Sequence, residues 1–132
     1  MNKLLASTWM MYLKTHSAHF LVTGADFFPL HKMLQLHYED LYEAIDIVGE
    51  SIAMEGGIPI SSFFDVTSES VVADTSLTGK TNKEMLEFLL EGHKAVIELI
   101  KTEPGLIDNS AAEERLGVHT KWAWFIAATL SS

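Results

Sequence analysis

The sequence predicts an all-α protein, a four-helix bundle in which one long crossover joins the second and third helices. Three observations carry this. Long segments run with recurring apolar residues and no effective breaker. Clusters of Gly and Pro divide them into four, with connections that are short, long and short. The chain has 132 residues, 48% apolar and 20% charged, which suits one domain over 1–132 with a core of its own.

Residues 3–23 are expected to form the first helix, with Leu5, Met11, Tyr12 and Phe20 among its apolar positions and Gly24 ending it. The opening MNKLLASTWMMYLK has a Lys before an apolar run, as a leader has. Lys14 follows at once and no small-x-small cleavage site is evident, so it is read as helix. Asp26 is placed to cap the second helix, and Pro29 is tolerable in its first turn. Nothing then interrupts the pattern before Glu55, where Gly56-Gly57 and Pro59 stop it. About 29 residues give a rod of about 43 Å.

Residues 56–80 are rich in Ser, Thr and Gly. A structureless loop of that length is uncommon, so a short helix is expected around Ser61–Asp65. The third helix is expected from Thr81 or Asn82 to about Thr102, broken by Pro104-Gly105. The fourth should start near Asp108 or Asn109 and reach about Leu130. Short links make antiparallel neighbours, and a long crossover returns the chain along the bundle. Together they specify the ferritin-like variant of the four-helix bundle, with the second and third helices parallel. Gly49, Gly92 and Gly117 fall inside helices and are candidates for close helix contacts.

The absence of cysteine excludes a disulfide scaffold, a zinc-thiolate centre and a catalytic thiol, and suits a reducing cytoplasm. No run has the length of a membrane span. The net charge is −9, unevenly spread: residues 33–79 hold nine carboxylates and no Lys or Arg. Such a surface repels nucleic acid and anionic membranes and attracts cations.

Ferritin-like bundles commonly hold metal inside one chain through Glu-x-x-His motifs. Here the residues three before each histidine are Leu13, His16, Phe28, Leu34, Leu90 and Leu116, so that arrangement is not supported. The second helix offers Asp46 and Glu50, four apart and on one face, at the end of an acidic stripe with Glu39 and Glu43. Imidazole nitrogens with carboxylate oxygens can bind Fe(II) and leave positions open for reaction. His31 and Asp46 lie 15 residues apart on one helix, or about 22 Å along its axis. No single ion bridges that. If His19, His31, Asp46 and Glu50 all bind, two chains must supply them, and a two-fold axis near the middle of the helix meets the requirement.

HFLVTGADFFPLH (residues 19–31), DIVGE (46–50), GGIP (56–59) and the tail RLGVHTKWAWF (115–125) resemble the DNA-protection-during-starvation (Dps) family, the mini-ferritins. The resemblance spans nearly the whole chain. It implies a hollow dodecamer built from two-fold dimers, which oxidises Fe(II) with hydrogen peroxide or oxygen, stores the mineral inside and limits oxidative damage. By matching position, His19 of one subunit with Asp46 and Glu50 of another would hold the tighter iron. His31 would serve a second iron, directly or through water.

The chain departs from the pattern in several places. Phe20 stands where Trp is frequent, and Gln35 where an Asp usually follows the second histidine by four. A neutral amide is the weaker iron ligand, which puts the second iron in question. Ser51 replaces a frequent Arg, Ser110 aligns roughly with an Asp of the iron-entry pore, and only Lys3 stands at the start of the first helix where some relatives carry a basic tail. Direct DNA binding is therefore not expected.

His16 is read as standing behind the ligands or at the surface, and His37, six residues after His31, as pointing away from the site. His93 and His119 have no evident partners and are expected at the surface or in packing. Glu39 and Glu43 face either solvent or the cavity. Trp9, Trp122 and Trp124, with the six methionines, are expected in core or interface. Two other functions stay open: a non-catalytic ferritin-like scaffold with a lapsed iron site, and a DNA-coating protein.

Overall fold

A computed structural model describes residues 1–131. Its helices are α1 (Asn2–Leu21), α2 (Phe27–Met54), α3 (Phe63–Glu69), α4 (Asn82–Thr102) and α5 (Ser110–Leu130), with no strand among the described residues. The four long helices form the bundle and α3 lies in the crossover, so the predicted fold class stands.

Side-chain pairs fix the directions. His19 meets His31 and Tyr12 meets Tyr38 and Tyr42, so α1 and α2 run antiparallel. Asp40 binds Arg115 while Asn109 binds Glu55, so α2 and α5 are antiparallel. The short turn between α4 and α5 makes them antiparallel as well, which leaves α2 and α4 parallel. The crossover therefore runs the length of the bundle, and it is pinned along the way. The Asn2 side chain donates to the Ile58 carbonyl and accepts from the Ile60 N–H. Ser7 Oγ accepts from the Val71 N–H. Lys14, buried to its tip, reaches Asp74 at 2.7 Å.

Local chemistry sets the helix ends. Thr81 and Glu84 form a reciprocal capping box at the start of α4, and the Asn109 side chain accepts from the Ala112 N–H at the start of α5. Asp26 occupies the capping position of α2 but its side chain makes no capping bond. The first helix ends two residues earlier than predicted. Asn82 takes both backbone groups of Thr23, accepting from its N–H at 3.1 Å and donating to its carbonyl at 2.7 Å, which leaves neither for a further helical turn. The crossover helix starts later than predicted, because Ser62 caps it by accepting from the Asp65 N–H, and Val66 is the residue it buries.

Leu4, Met11, Leu34, Leu41, Met85 and Leu89 are among the fully buried side chains of the core. Of the three mid-helix glycines only Gly92 marks a close contact: a Cβ there would lie 2.5 Å from Met11 Sδ. Gly49 and Gly117 have nothing within 4 Å of that position. Trp122 is buried and Trp9 half-buried, whereas Trp124 is exposed.

Candidate metal site

His19 lies in the last turn of α1 and His31 near the start of α2, and the turn between them brings the rings face to face. Their centroids are 3.7 Å apart with planes 16° from parallel. Nδ1 of His19 is 2.8 Å from the backbone carbonyl of His31, and Nδ1 of His31 is 2.8 Å from that of His19. A carbonyl only accepts, so each Nδ1 carries a proton and donates it. In the neutral rings both lone pairs therefore sit on Nε2. A backbone oxygen that fixes ring orientation and tautomer is the usual support behind a metal-binding histidine.

Aromatic rings wall the pair. Phe27 stacks on His31 at 4.8 Å, and Tyr38 meets His19 edge-on at 5.0 Å. His16 is sandwiched between Tyr38 at 3.9 Å and Phe20 at 4.7 Å, with its Nδ1 3.1 Å from the Tyr12 hydroxyl. Partial burial, and then the charge of His19, lower the His16 pKa. His16 thus stands in the ring wall beside His19.

Asp46 and Glu50 are exposed on one face of α2. Asp46 beside it raises the Glu50 pKa from its ordinary value, first through a hydrogen bond between the side chains and then through its charge. Two carboxylates this close favour a shared proton or a cation between them. Asp46 also lines a groove with Trp9, Tyr42, Glu43, Ile45 and Ile47. Glu39 and Glu43 are exposed.

The chain thus makes two half-sites: a pair of neutral nitrogens near one end of α2 and a pair of carboxylates about 22 Å further along it. It does not join them. Among the described residues, no group of three or more His, Asp or Glu side chains is placed to hold an ion. The combined donor set, two imidazoles and two carboxylates, fits Fe(II), but one copy of the chain cannot close it.

His37 points away from the site as expected, and His93 and His119 are in packing, but the two have the partners that the sequence did not show. His93 and His119 are fully buried and are each other's partners, with Nδ1 to Nδ1 at 2.9 Å across α4 and α5. His37 is fully buried too, stacked on Trp122 at 4.1 Å. Burial pushes the His37 pKa down to about 4, opposed by Asp40. It pushes His93 down to about 3, helped by the charges of His37 and Arg115. Burial, then His93 and Arg115, hold His119 well below its usual value. Beside them Asp40 receives both Arg115 terminal nitrogens at 2.9 Å and the Trp122 indole N–H at 3.0 Å. Sequence reasoning missed this network. Its members lie 75 and 82 positions apart, and no local spacing signals them.

A family model described as a ferritin-like domain matches residues 1–128. Among curated proteins, the nutrient stress-induced DNA-binding protein of Nostoc sp. is 29% identical over 78% of this chain, which spans only 56% of that relative. DNA protection during starvation protein 2 of Bacillus anthracis is 27% identical, with 99% of this chain and 94% of the relative covered. Among solved structures, Dps from Thermosynechococcus elongatus superposes with a TM-score of 0.90 at 25% identity, covering 99% of this chain and 87% of that one. The matched span, the parallel second and fourth helices and the helix in the crossover lead to one conclusion: the chain belongs to the ferritin-like domain family, on its Dps, mini-ferritin branch.

Proposed function

We propose that this protein is a Dps-type ferroxidase and iron store, with Fe(II) as substrate and hydrogen peroxide or oxygen as oxidant, at sites shared between two copies of the chain. One observation carries the reading: His19 and His31 are locked by reciprocal Nδ1–H to carbonyl bonds that leave both Nε2 atoms free, while the complementary carboxylates, Asp46 and Glu50, lie beyond the reach of the same copy. A two-fold axis across the middle of α2 supplies each half-site with the other and creates two equivalent sites per dimer.

Each residue then has a task. His19 and His31 offer neutral nitrogen donors held in one orientation. Asp46 and Glu50 offer anionic oxygens that neutralise a dication. Two Fe(II), bound together or taken up in succession, each give up one electron, and one peroxide, taking both electrons and two protons, leaves as two waters. The oxidation chemistry is that of iron and peroxide, while the protein supplies geometry and charge. The exposed apolar side chains Phe20, Phe28, Tyr42, Phe63, Phe64 and Trp124 support burial against further copies. The reading is of a closed homo-oligomer, a dodecamer, working in the cytoplasm. No helix among the described residues is long and apolar enough to cross a membrane.

Some relatives carry DNA binding in their names. The cations here argue against it for this chain. Of nine Lys and Arg, Lys14 and Arg115 are buried against Asp74 and Asp40, and Lys3 and Lys94 stand beside Glu103 and Glu91. The other five, Lys32, Lys80, Lys83, Lys101 and Lys121, stand on a chain of net charge −9, which on balance repels phosphates.

The test is anaerobic addition of Fe(II) followed by peroxide. The expected result is a stoichiometric rise in ferric absorbance that an Asp46→Ala/Glu50→Ala variant loses. A shell of full mass without that rise would establish the non-catalytic scaffold instead. DNA retardation on a gel that fades with salt would restore the DNA-coating reading.

A further inference from the structure

Gln35 stands one turn beyond His31 on the same face of α2 and is half-buried. Its amide nitrogen donates to Glu39 Oε1 at 2.9 Å. A carboxylate only accepts, so this bond fixes which way the amide lies. The NH2 group is committed to Glu39, and Gln35 can offer a metal only a neutral carbonyl oxygen. Glu39 is in turn held by that bond and lies exposed, another turn along the helix.

Charge can then be counted. The half-site on α1 and the start of α2 contributes two neutral imidazoles and a neutral amide. The half-site from a second copy contributes the carboxylates of Asp46 and Glu50. Two negative charges balance one dication. A second dication within the usual two-metal spacing of about 4 Å would repel the first with four times the force between unit charges. A neutral amide does nothing to offset that.

We infer that each shared site holds one divalent ion rather than two, and that Gln35 is the residue that sets this number. The inference rests on the shared-site reading above and goes beyond it, because that reading is compatible with one ion or two. Gln35 acts as a selector of stoichiometry, and its replacement by a carboxylate restores the missing charge.

Anaerobic Co(II) titration of the assembled shell tests this without any turnover. The visible band of nitrogen-ligated Co(II) separates this site from ions held by surface carboxylates, and equilibrium dialysis gives the number. One Co(II) per chain in the wild type and two in Gln35→Asp is the expected result. Two in the wild type would overturn the inference and leave the shared site standing. If Glu39→Gln then removed the second ion, Glu39 would be its ligand. One in both wild type and Gln35→Asp would show that Gln35 does not set the number, again overturning the inference alone. No nitrogen-ligated Co(II) in either protein would remove the shared site itself. Native mass of each variant confirms that the shell has formed.

Discussion

Two histidine clusters in one bundle have opposite surroundings. At the end of the bundle, His19 and His31 have both Nδ1 atoms bonded to backbone carbonyls. In its middle, His37, His93 and His119 are fully buried, and four of their six ring nitrogens have no hydrogen-bond partner. A backbone oxygen is a fixed acceptor that chooses the tautomer and aims the free lone pair. Two imidazoles facing each other do neither, because either one can be the donor. The first arrangement suits the ligand role proposed for it. The second keeps rings neutral in an apolar core, at the cost of a liability to acid. Function here follows from what stands behind the ring, not from the residue type.

The largest expected effect separates the clusters by activity. His19→Ala should slow Fe(II) oxidation by peroxide at least about a hundredfold, since even residues that only support a ligand are worth 10–100-fold. His93→Leu/His119→Leu should leave the rate unchanged in shells of normal mass. Stopped-flow absorbance reads both, and a slow core variant beside an active His19→Ala would reverse the assignment of the two clusters.

Next in size is the ion pair next to the core cluster. Arg115→Met leaves Asp40 partly buried with only the Trp122 indole as donor, and the expected loss is about 3 kcal/mol. Adding Asp40→Leu should return part of it, because the uncompensated charge then goes too. Denaturation midpoints at one fixed protein concentration measure this.

Acid resolves the core cluster directly. Its histidines have folded-state pKa values lowered to about 4 for His37 and about 3 for His93. An unfolded chain takes up these protons near pH 6.5, so below that value the unfolded state binds more of them. Stability is therefore full above about pH 6.5 and falls as the pH drops toward 4, by about 1.4 kcal/mol per pH unit for each histidine held neutral. His93→Leu/His119→Leu should flatten that fall. Equal slopes for variant and wild type would show that these rings do not govern acid stability.

How much of this was legible beforehand follows from how local each signal is. The four long helices were readable because their boundaries are written in breakers and caps a few residues away: Gly24, Gly56-Gly57, Pro104, Thr81 and Asn109. The spacing of His19, His31, Asp46 and Glu50 was readable for the same reason, as was the conclusion that one copy cannot close the set. The end of α1 was misplaced because Asn82, 59 positions away, takes the Thr23 backbone. His93 and His119 looked partnerless because each is the other's partner across 26 positions. Helix periodicity reports which face a residue is on, and it cannot say which residue of another helix meets it.

The smallest expected effect tests whether the two clusters are mechanically separate. Asn82 opens α4 and clamps Thr23 in the turn that sets His19 against His31. Both bonds are exposed, so Asn82→Ala should cost about 1 kcal/mol of stability. His93 lies 11 residues further along α4, about 16 Å from the clamp. Loosening the turn should therefore blur the aim of the two Nε2 atoms without touching the core. The expected outcome is Co(II) affinity lowered by up to about fivefold, with the acid slope unchanged. A variant whose acid slope moved while its metal affinity held would show that the turn acts through α4 on the buried rings, and the two clusters would have to be treated as one unit.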